Sequence, residues 1–191
     1  PNFIQAMSSP MVSHFHPDHI FGLMQKGTNA PNYPNAEIVV SATEYKWWTE
    51  PGRVEKLPEA RKALGARIQA VFPTWKNFKL VEGEKEVAPG IHMVNAPGHT
   101  PGHSAFLLAS GKQQLMISND VAYVPALLAP HPEWQGAYDQ DALRPSACRG
   151  PRLAASGIAA SSPATQRSNG ESVLTSVRSK RCGSPRSTAR T

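Results

Sequence analysis

The most informative segment of this chain is Ser13-His14-Phe15-His16-Pro17-Asp18-His19, which places four potential metal ligands within six residues. Neutral imidazole nitrogens and carboxylate oxygens are ligands that suit zinc and related first-row ions. The chain has only 7 histidines, so this density is not expected by chance. The apolar run Met11-Val12-Ser13 predicts the end of a β-strand. A short loop after that strand would divide the four ligands between two adjacent ions.

Two later segments carry further potential ligands. The first, Ala96-Pro97-Gly98-His99-Thr100-Pro101-Gly102-His103-Ser104, has the glycines and prolines of a tight loop and adds two histidines. The second, Leu115-Met116-Ile117-Ser118-Asn119-Asp120, predicts a buried strand that ends in a carboxylate. Each segment alone has an ordinary structural explanation, because histidine pairs often lie in loops and an aspartate after a strand is usually a turn residue. The three segments together, in this order, favour a metal site.

These three segments resemble the signature of the metallo-β-lactamase superfamily, in which His-x-His-x-Asp-His is followed by a distant histidine and a distant aspartate. The resemblance covers about residues 9–141 and implies an α/β (α+β) fold, the αββα sandwich, incomplete here. Within the superfamily the chain looks most similar to the methyl parathion hydrolase-like branch. The 80-residue gap from His19 to His99 suggests this branch, because the corresponding gap in acyl-homoserine lactonases is shorter. The segments 33–48 and 98–141, the latter including Tyr138-Asp139-Gln140-Asp141, also look like that branch.

The resemblance implies a set of ligands for two divalent ions, of which zinc is the first expectation. The implied ligands are His14, His16 and His99 for the first ion, Asp18 and His19 for the second, and Asp120 between them. A hydroxide that bridges the ions would be the nucleophile, with Asp18 and Asp120 in catalytic roles. The family also takes a last histidine downstream of the bridging aspartate. No histidine follows His131, so the second ion is expected to lack one ligand.

The predicted function is that of a metal-dependent hydrolase that cleaves an ester-like bond in a small hydrophobic molecule. The resemblance gives Trp48 the place of a pocket tryptophan, which would suit a lactone, an aryl ester or an organophosphate triester. Trp48 could instead only pack a helix onto the sheet. His103 and His92 are interpreted as structural or supporting histidines rather than ligands.

Three other functions compete with hydrolysis. The main alternative is a catalytically impaired, metal-binding fragment of such a hydrolase. Diiron oxidoreductases of the same fold typically carry glutamate where this chain has His16. A nuclease would require basic character around the site, whereas residues 1–141 contain 11 basic and 13 acidic side chains. No apolar run reaches the roughly 18 residues that a membrane helix needs, so no membrane partner is expected. The compartment is left open.

Residues 142–191 differ in composition from the rest of the chain. They contain no aromatic residue and no histidine, and their nine basic residues against one acid give this segment a charge of +8. Such a segment buries too little apolar surface to offset its conformational entropy, so we predict a disordered Arg/Ser-rich tail. It could bind anionic surfaces, although it has no aromatic side chains to stack on nucleic-acid bases. The alternative, which we favour, is out-of-frame translation. The family's opening strands are also expected to be missing before residue 9.

Between the ligand segments, apolar patterns predict one domain of mixed strands and helices over residues 1–141. Leucine, isoleucine and valine at helical spacing predict an amphipathic helix from 54 to about 72, with Pro58 in its first turn. The step Ser110-Gly111-Lys112 predicts a hairpin. The predicted elements are a strand at 36–41, helices at 42–49 and 54–72, and strands at 78–81, 91–95, 104–109 and 113–118.

Overall fold

Two β-sheets carry the fold, which a computed structural model describes for residues 9–128, 131 and 134–140. The first sheet is parallel and has three strands in the order β1 (Met11–Val12), β2 (Ile38–Ser41) and β3 (Phe78–Val81). The second sheet is antiparallel and has four strands in chain order: β4 (Lys85–Ala88), β5 (Ile91–Asn95), β6 (Ser104–Ser110) and β7 (Gln113–Ile117).

Helices and 3₁₀ turns connect the strands, and the two longest helices pack against the first sheet. The described helices are α1 (Pro17–Ile20), α2 (Ala42–Thr49), α3 (Glu59–Val71) and α4 (Pro125–Leu128), with 3₁₀ turns at Phe21–Leu23, Val54–Lys56, Phe72–Thr74 and Asn119–Ala122. None of the described helices is long and apolar enough to cross a membrane.

The core follows from the alternation of side chains along β2. Ile38 and Val40 join a buried cluster with Trp48 and Ile68 of the helices. Val39, which points to the opposite face, joins a second cluster with strands β5 and β6 of the other sheet. Because successive strand residues face opposite sides, β2 lies between the helical layer and the second sheet. The described part of the chain is therefore a helix layer on two stacked sheets.

The fold class predicted from the sequence is confirmed, and most elements lie where the patterns indicated. The helix predicted from residue 54 begins later, because Val54–Lys56 forms a separate 3₁₀ turn and Pro58 precedes the first residue of α3. Strand β4 was not predicted, since Lys85-Glu86-Val87-Ala88 is short and half charged. The hairpin prediction holds, with Ser110 paired to Gln113 and Gly111 at φ +59°. The predicted tail, 142–191, lies outside the described residues.

Candidate metal centre

The candidate ligands converge from loops that follow three strands of the two sheets. His14 and His16 follow β1, and Pro17 then starts α1, which carries Asp18 and His19. His99 lies in the loop between β5 and β6. Asp120 lies in the 3₁₀ turn directly after β7. The Ser104 backbone N–H donates a 3.0 Å hydrogen bond to the Ser13 carbonyl, which ties β6 to the end of β1 beside the ligands.

The first ligand group contains His14, His16, His99 and Asp120, whose candidate ligand atoms all lie within 4.8 Å of one another. His99 Nε2 is 2.9 Å from His16 Nδ1 and 3.3 Å from Asp120 Oδ2. His14 Nε2 is 3.8 Å from the same Asp120 oxygen. Three imidazoles and one carboxylate thus surround a single point.

The second ligand group contains Asp18, His19 and Asp120, also within 4.8 Å. His19 Nε2 lies 3.4 Å from Asp18 Oδ2 and 3.4 Å from Asp120 Oδ1. Asp120 is therefore common to both groups and faces each with a different oxygen. The Asp18 side chain is 75% exposed, whereas those of His19 and Asp120 are each 24% exposed, so the second group opens to solvent.

The first group is built to supply neutral imidazole nitrogens. Burial, with a smaller contribution from the neighbouring His103, lowers the pKa of His14 far below its usual range. Burial and the neighbouring His99 lower the pKa of His16 to about 3. A metal ligand must offer an unprotonated nitrogen, so both rings are in the ligating form across the physiological pH range.

Asp120 keeps its negative charge and raises the pKa of its neighbours. Hydrogen bonds with His19 and His99 lower the pKa of the Asp120 carboxyl. The same contact raises the pKa of His19 against the effect of burial. Burial lowers the pKa of His99, but its bonds to Asp120 and Asp139 outweigh burial and raise it overall. The carboxylates of Asp120 and Asp139 therefore favour a positive charge beside Asp120, where the two ligand groups meet.

The residues present fit divalent metal ions. His14 Nε2 is buried and has no hydrogen-bond partner among the described residues, although a buried polar atom is normally satisfied. It points toward the Asp120 carboxylate, at a distance too long for a hydrogen bond. Imidazole nitrogens combined with carboxylate oxygens are the donors that zinc takes in catalytic sites.

A buried carboxylate, Glu44, joins the two loops that carry the first ligand group. Its side chain is 0% exposed and accepts four hydrogen bonds. Oε1 accepts from the Phe15 backbone N–H at 2.9 Å and from Trp48 Nε1 at 2.8 Å. Oε2 accepts from Thr100 Oγ1 at 2.7 Å and from the Gly102 backbone N–H at 2.9 Å. Sequence reasoning missed Glu44, because a glutamate inside a predicted helix reads as a surface residue.

Two further side chains near the ligands were noted in the sequence without a role. Asp139 Oδ1 lies 2.9 Å from His99 Nδ1, and its side chain is only 1% exposed. Gln140 Nε2 lies 3.3 Å from His16 Nε2. Both contacts span a long stretch of sequence, so no local pattern could have indicated them.

Trp48 and Trp75 lie in different places relative to the ligands. Trp48 is 0% exposed, and its ring centroid lies 6.4 Å from that of His16, so in the described structure it packs behind the ligand rather than lining an open wall. Trp75 lines an open groove of about 730 Å³ between residues 28–34 and 70–77, which includes none of the candidate ligands. His103 is buried beside His14, with ring centroids 4.9 Å apart, and belongs to neither ligand group.

Comparison with known proteins gives a consistent family. The family model described as the metallo-beta-lactamase superfamily matches residues 11–160. An N-acyl homoserine lactonase of Bacillus cereus is 31% identical over 112 residues, which cover 58% of this chain and 37% of that protein. The solved structure of AidC, a dizinc quorum-quenching lactonase, aligns with a TM-score of 0.69 at 28% identity, covering 78% of this chain and 53% of that one. The hydrolase AbOPH aligns with a TM-score of 0.66 at 26% identity, covering 77% and 52%.

These similarities support the superfamily but not the branch predicted from the sequence. The curated relatives that match include N-acyl homoserine lactonases and probable metallo-hydrolases, so the 80-residue gap between His19 and His99 does not single out the methyl parathion hydrolase branch. The chain spans less than two fifths of the length of these relatives.

Proposed function

The chain belongs to the metallo-β-lactamase superfamily, and from that premise we propose that it is a dinuclear metal-dependent hydrolase of ester-like bonds, with lactones as the first substrate class. The observation that carries the proposal is the pair of ligand groups that share Asp120. A carboxylate that faces two groups of ligands with different oxygens suits two adjacent ions better than one. The dizinc lactonase AidC supports zinc as the metal.

The residues that would hold the ions follow from the two groups. His14, His16 and His99 would bind the first ion and Asp18 and His19 the second, with Asp120 shared. When bound, zinc supplies Lewis acidity and lowers the pKa of bound water. The resulting hydroxide would attack the carbon of a carbonyl group or the phosphorus of a phosphoryl group. The second group has three protein ligands, the number that catalytic zinc sites usually have, so the missing downstream histidine does not exclude an ion there.

The chain's own groups provide the proton transfers. The Asp18 side chain is 75% exposed, so a carboxylate oxygen that does not face the second ion would be open to solvent and able to take a proton from the attacking water. It would then deliver that proton to the leaving alcohol oxygen. The pKa of the Asp120 carboxyl is lowered, so Asp120 would stay ionised and offset the charge of the two ions that share it.

A hydrophobic small molecule suits the surface next to Asp120. Tyr123 is 50% exposed, Val124 39% and Leu127 54%, and all three follow Asp120 within seven residues. Apolar side chains beside a few polar groups are typical of small-molecule sites. Lactones rank first because the curated relatives are lactonases. Aryl esters and organophosphate triesters are the other ester-like candidates.

The test combines metal content with hydrolysis by the 191-residue chain. We expect close to two zinc ions per chain after dialysis and measurable opening of an N-acyl homoserine lactone. Asp120→Asn should lose zinc and activity together, whereas Glu59→Gln, which changes an exposed carboxylate, should retain both. One ion or none, with no turnover of a lactone, an aryl ester or a phosphotriester, would favour the alternative that the chain is a catalytically impaired metal-binding fragment.

A further inference from the structure

We propose that Asp139 and Gln140 are positioning residues that fix which nitrogen of His99 and which nitrogen of His16 faces the metal. The inference rests on the proposed metal site and adds two consecutive residues to its machinery. Neither residue is a candidate ligand. Each contacts the ring nitrogen of a ligand that points away from the centre of the first group.

His99 is oriented by Asp139. Its Nδ1 lies 2.9 Å from Asp139 Oδ1, so Nδ1 carries the proton and donates it to the carboxylate. Its Nε2 is left facing His16 and Asp120. A ligating histidine commonly donates its other N–H to a carboxylate, which fixes the tautomer and makes the ligating nitrogen more basic. The Asp139 side chain is 1% exposed, so water does not compete for this contact.

His16 is oriented in the opposite sense by Gln140. Here Nδ1 faces the ligand group, 2.9 Å from His99 Nε2, and Nε2 is the nitrogen turned toward Gln140. The Gln140 amide nitrogen lies 3.3 Å from His16 Nε2, while its oxygen Oε1 is buried with no hydrogen-bond partner in the described part of the chain. A 180° rotation of the amide exchanges its oxygen and nitrogen, and Oε1 then accepts the N–H that His16 Nε2 carries when Nδ1 binds an ion.

The backbone around these two residues is held in place by independent contacts. The Gly136 N–H donates to Asp139 Oδ2 at 2.8 Å. The Gln140 N–H donates to the His99 carbonyl at 3.1 Å. Arg61 of α3 donates from Nη2 to the Tyr138 carbonyl at 2.8 Å. The two side chains therefore approach the ligands from a segment that is anchored to the domain.

The geometry assigns opposite tautomers to two ligands of the same ion. With an ion bound, His99 is expected to carry its proton on Nδ1 and to bind through Nε2, whereas His16 would carry its proton on Nε2 and bind through Nδ1. Without an acceptor at each outer nitrogen, either ring could protonate the nitrogen that has to bind the metal. Loss of an outer partner typically weakens metal affinity by about 10- to 100-fold.

Position 140 offers a test that separates an acceptor role from simple packing. We expect Gln140→Leu to weaken zinc binding by about 10-fold or more, measured by competition with a chelator. Gln140→Glu keeps an acceptor for the His16 N–H and should bind zinc within a few-fold of the unchanged chain. If Gln140 only fills space, the order reverses, because leucine packs better than a second buried charge. Gln114→Leu, on an exposed position of β7, is the matched control and should change nothing.

Position 139 is tested in the same way, with a readout that does not need metal. Asp139→Asn should weaken zinc binding by about 10- to 100-fold, and Glu59→Gln serves as the control for a lost charge. Nitrogen-15 NMR of the histidine rings in the metal-free chain should show a protonated Nδ1 at His99, because this nitrogen donates to Asp139.

The outcomes of the two ideas are distinguishable. If the unchanged chain binds no zinc but shows the proton on His99 Nδ1, the proposed hydrolase function fails and the positioning role of Asp139 stands. If the chain binds zinc, and Asp139→Asn and Gln140→Leu bind it equally well, the positioning roles are overturned and the hydrolase proposal stands. An unprotonated Nδ1 at His99 in the unchanged chain would also overturn the assignment.

Discussion

Replacing Glu44 should cost more stability than replacing any exposed carboxylate, because its carboxylate is the common acceptor of two separate loops. Alanine would leave the N–H groups of Phe15, Gly102 and Trp48 buried without an acceptor. Each buried donor left unsatisfied costs about 1–3 kcal/mol. The three costs are not fully additive, so we expect Glu44→Ala to lower the free energy of unfolding by about 4 kcal/mol or more.

Glutamine at the same position should produce a smaller and calculable loss. Its carbonyl oxygen can still accept from the Phe15 N–H and Trp48 Nε1, and the Thr100 hydroxyl can turn to accept from the amide NH₂. Only the Gly102 N–H then faces another donor. The opposite amide orientation would leave two donors unsatisfied and is therefore disfavoured. One orphaned donor predicts a loss of about 2 kcal/mol for Glu44→Gln.

The assay is urea unfolding of the metal-free chain, followed by the fluorescence of its 4 tryptophans. Glu59→Ala, at a side chain that is 88% exposed, is the matched control and should stay within about 0.5 kcal/mol. The reasoning is refuted if Glu44→Ala costs less than 1 kcal/mol, or if glutamine is as damaging as alanine. Because domains of this kind are stable by only about 5–15 kcal/mol, the alanine variant is best compared near the low-temperature stability maximum.

Three further predictions follow from the same contacts. Gly102→Ala should destabilise the chain by about 3 kcal/mol in urea unfolding, because a Cβ would overlap the backbone of Glu44. The control Gly22→Ala meets no atom within 4 Å and should cost less than about 0.5 kcal/mol. Burial, and to a smaller extent the neighbouring His99, lowers the pKa of His103 to about 3 in the folded chain. Below about pH 6.5 the unfolded metal-free chain therefore binds a proton at His103 that the folded chain does not. Stability should therefore fall as pH drops from 6.5 toward 3, and His103→Gln should make that fall shallower by about 1.4 kcal/mol per pH unit. Zinc titration should show two unequal steps, the weaker of which disappears in Asp18→Asn; a single step unaffected by that change would contradict the division into two groups.

The ligand motifs could be predicted from the sequence because each is local. His14, His16, Asp18 and His19 lie within six residues, and the strand ending before Asp120 is visible as an apolar run. Short spacing and strand ends are properties that neighbouring residues determine, so they indicate both the fold class and the candidate ligands. The structure brings these residues into two groups, with Asp120 common to both.

The supporting contacts could not be predicted because they join residues that are far apart in the chain. Glu44 bonds to Thr100, 56 residues away, and Gln140 contacts His16 across 124 residues. A buried charge also violates the composition rule by which glutamate in a short helix is assigned to the surface. Trp48, for which the sequence left both a pocket wall and a packing role open, donates its N–H to Glu44 and is fully buried.

The positions of these supporting residues explain why the two halves of the site should differ. The three histidines of the first group are buried. Glu44 bonds to the loops that carry them, and Asp139 and Gln140 contact the outer ring nitrogens of His99 and His16. The second group depends on Asp18, whose side chain is 75% exposed and whose described ion contact is with His19. Preorganised ligands lose less conformational entropy on binding than an exposed side chain does. The first group should therefore hold its ion more tightly, and the second should be the one that exchanges, opens to substrate and limits hydrolysis.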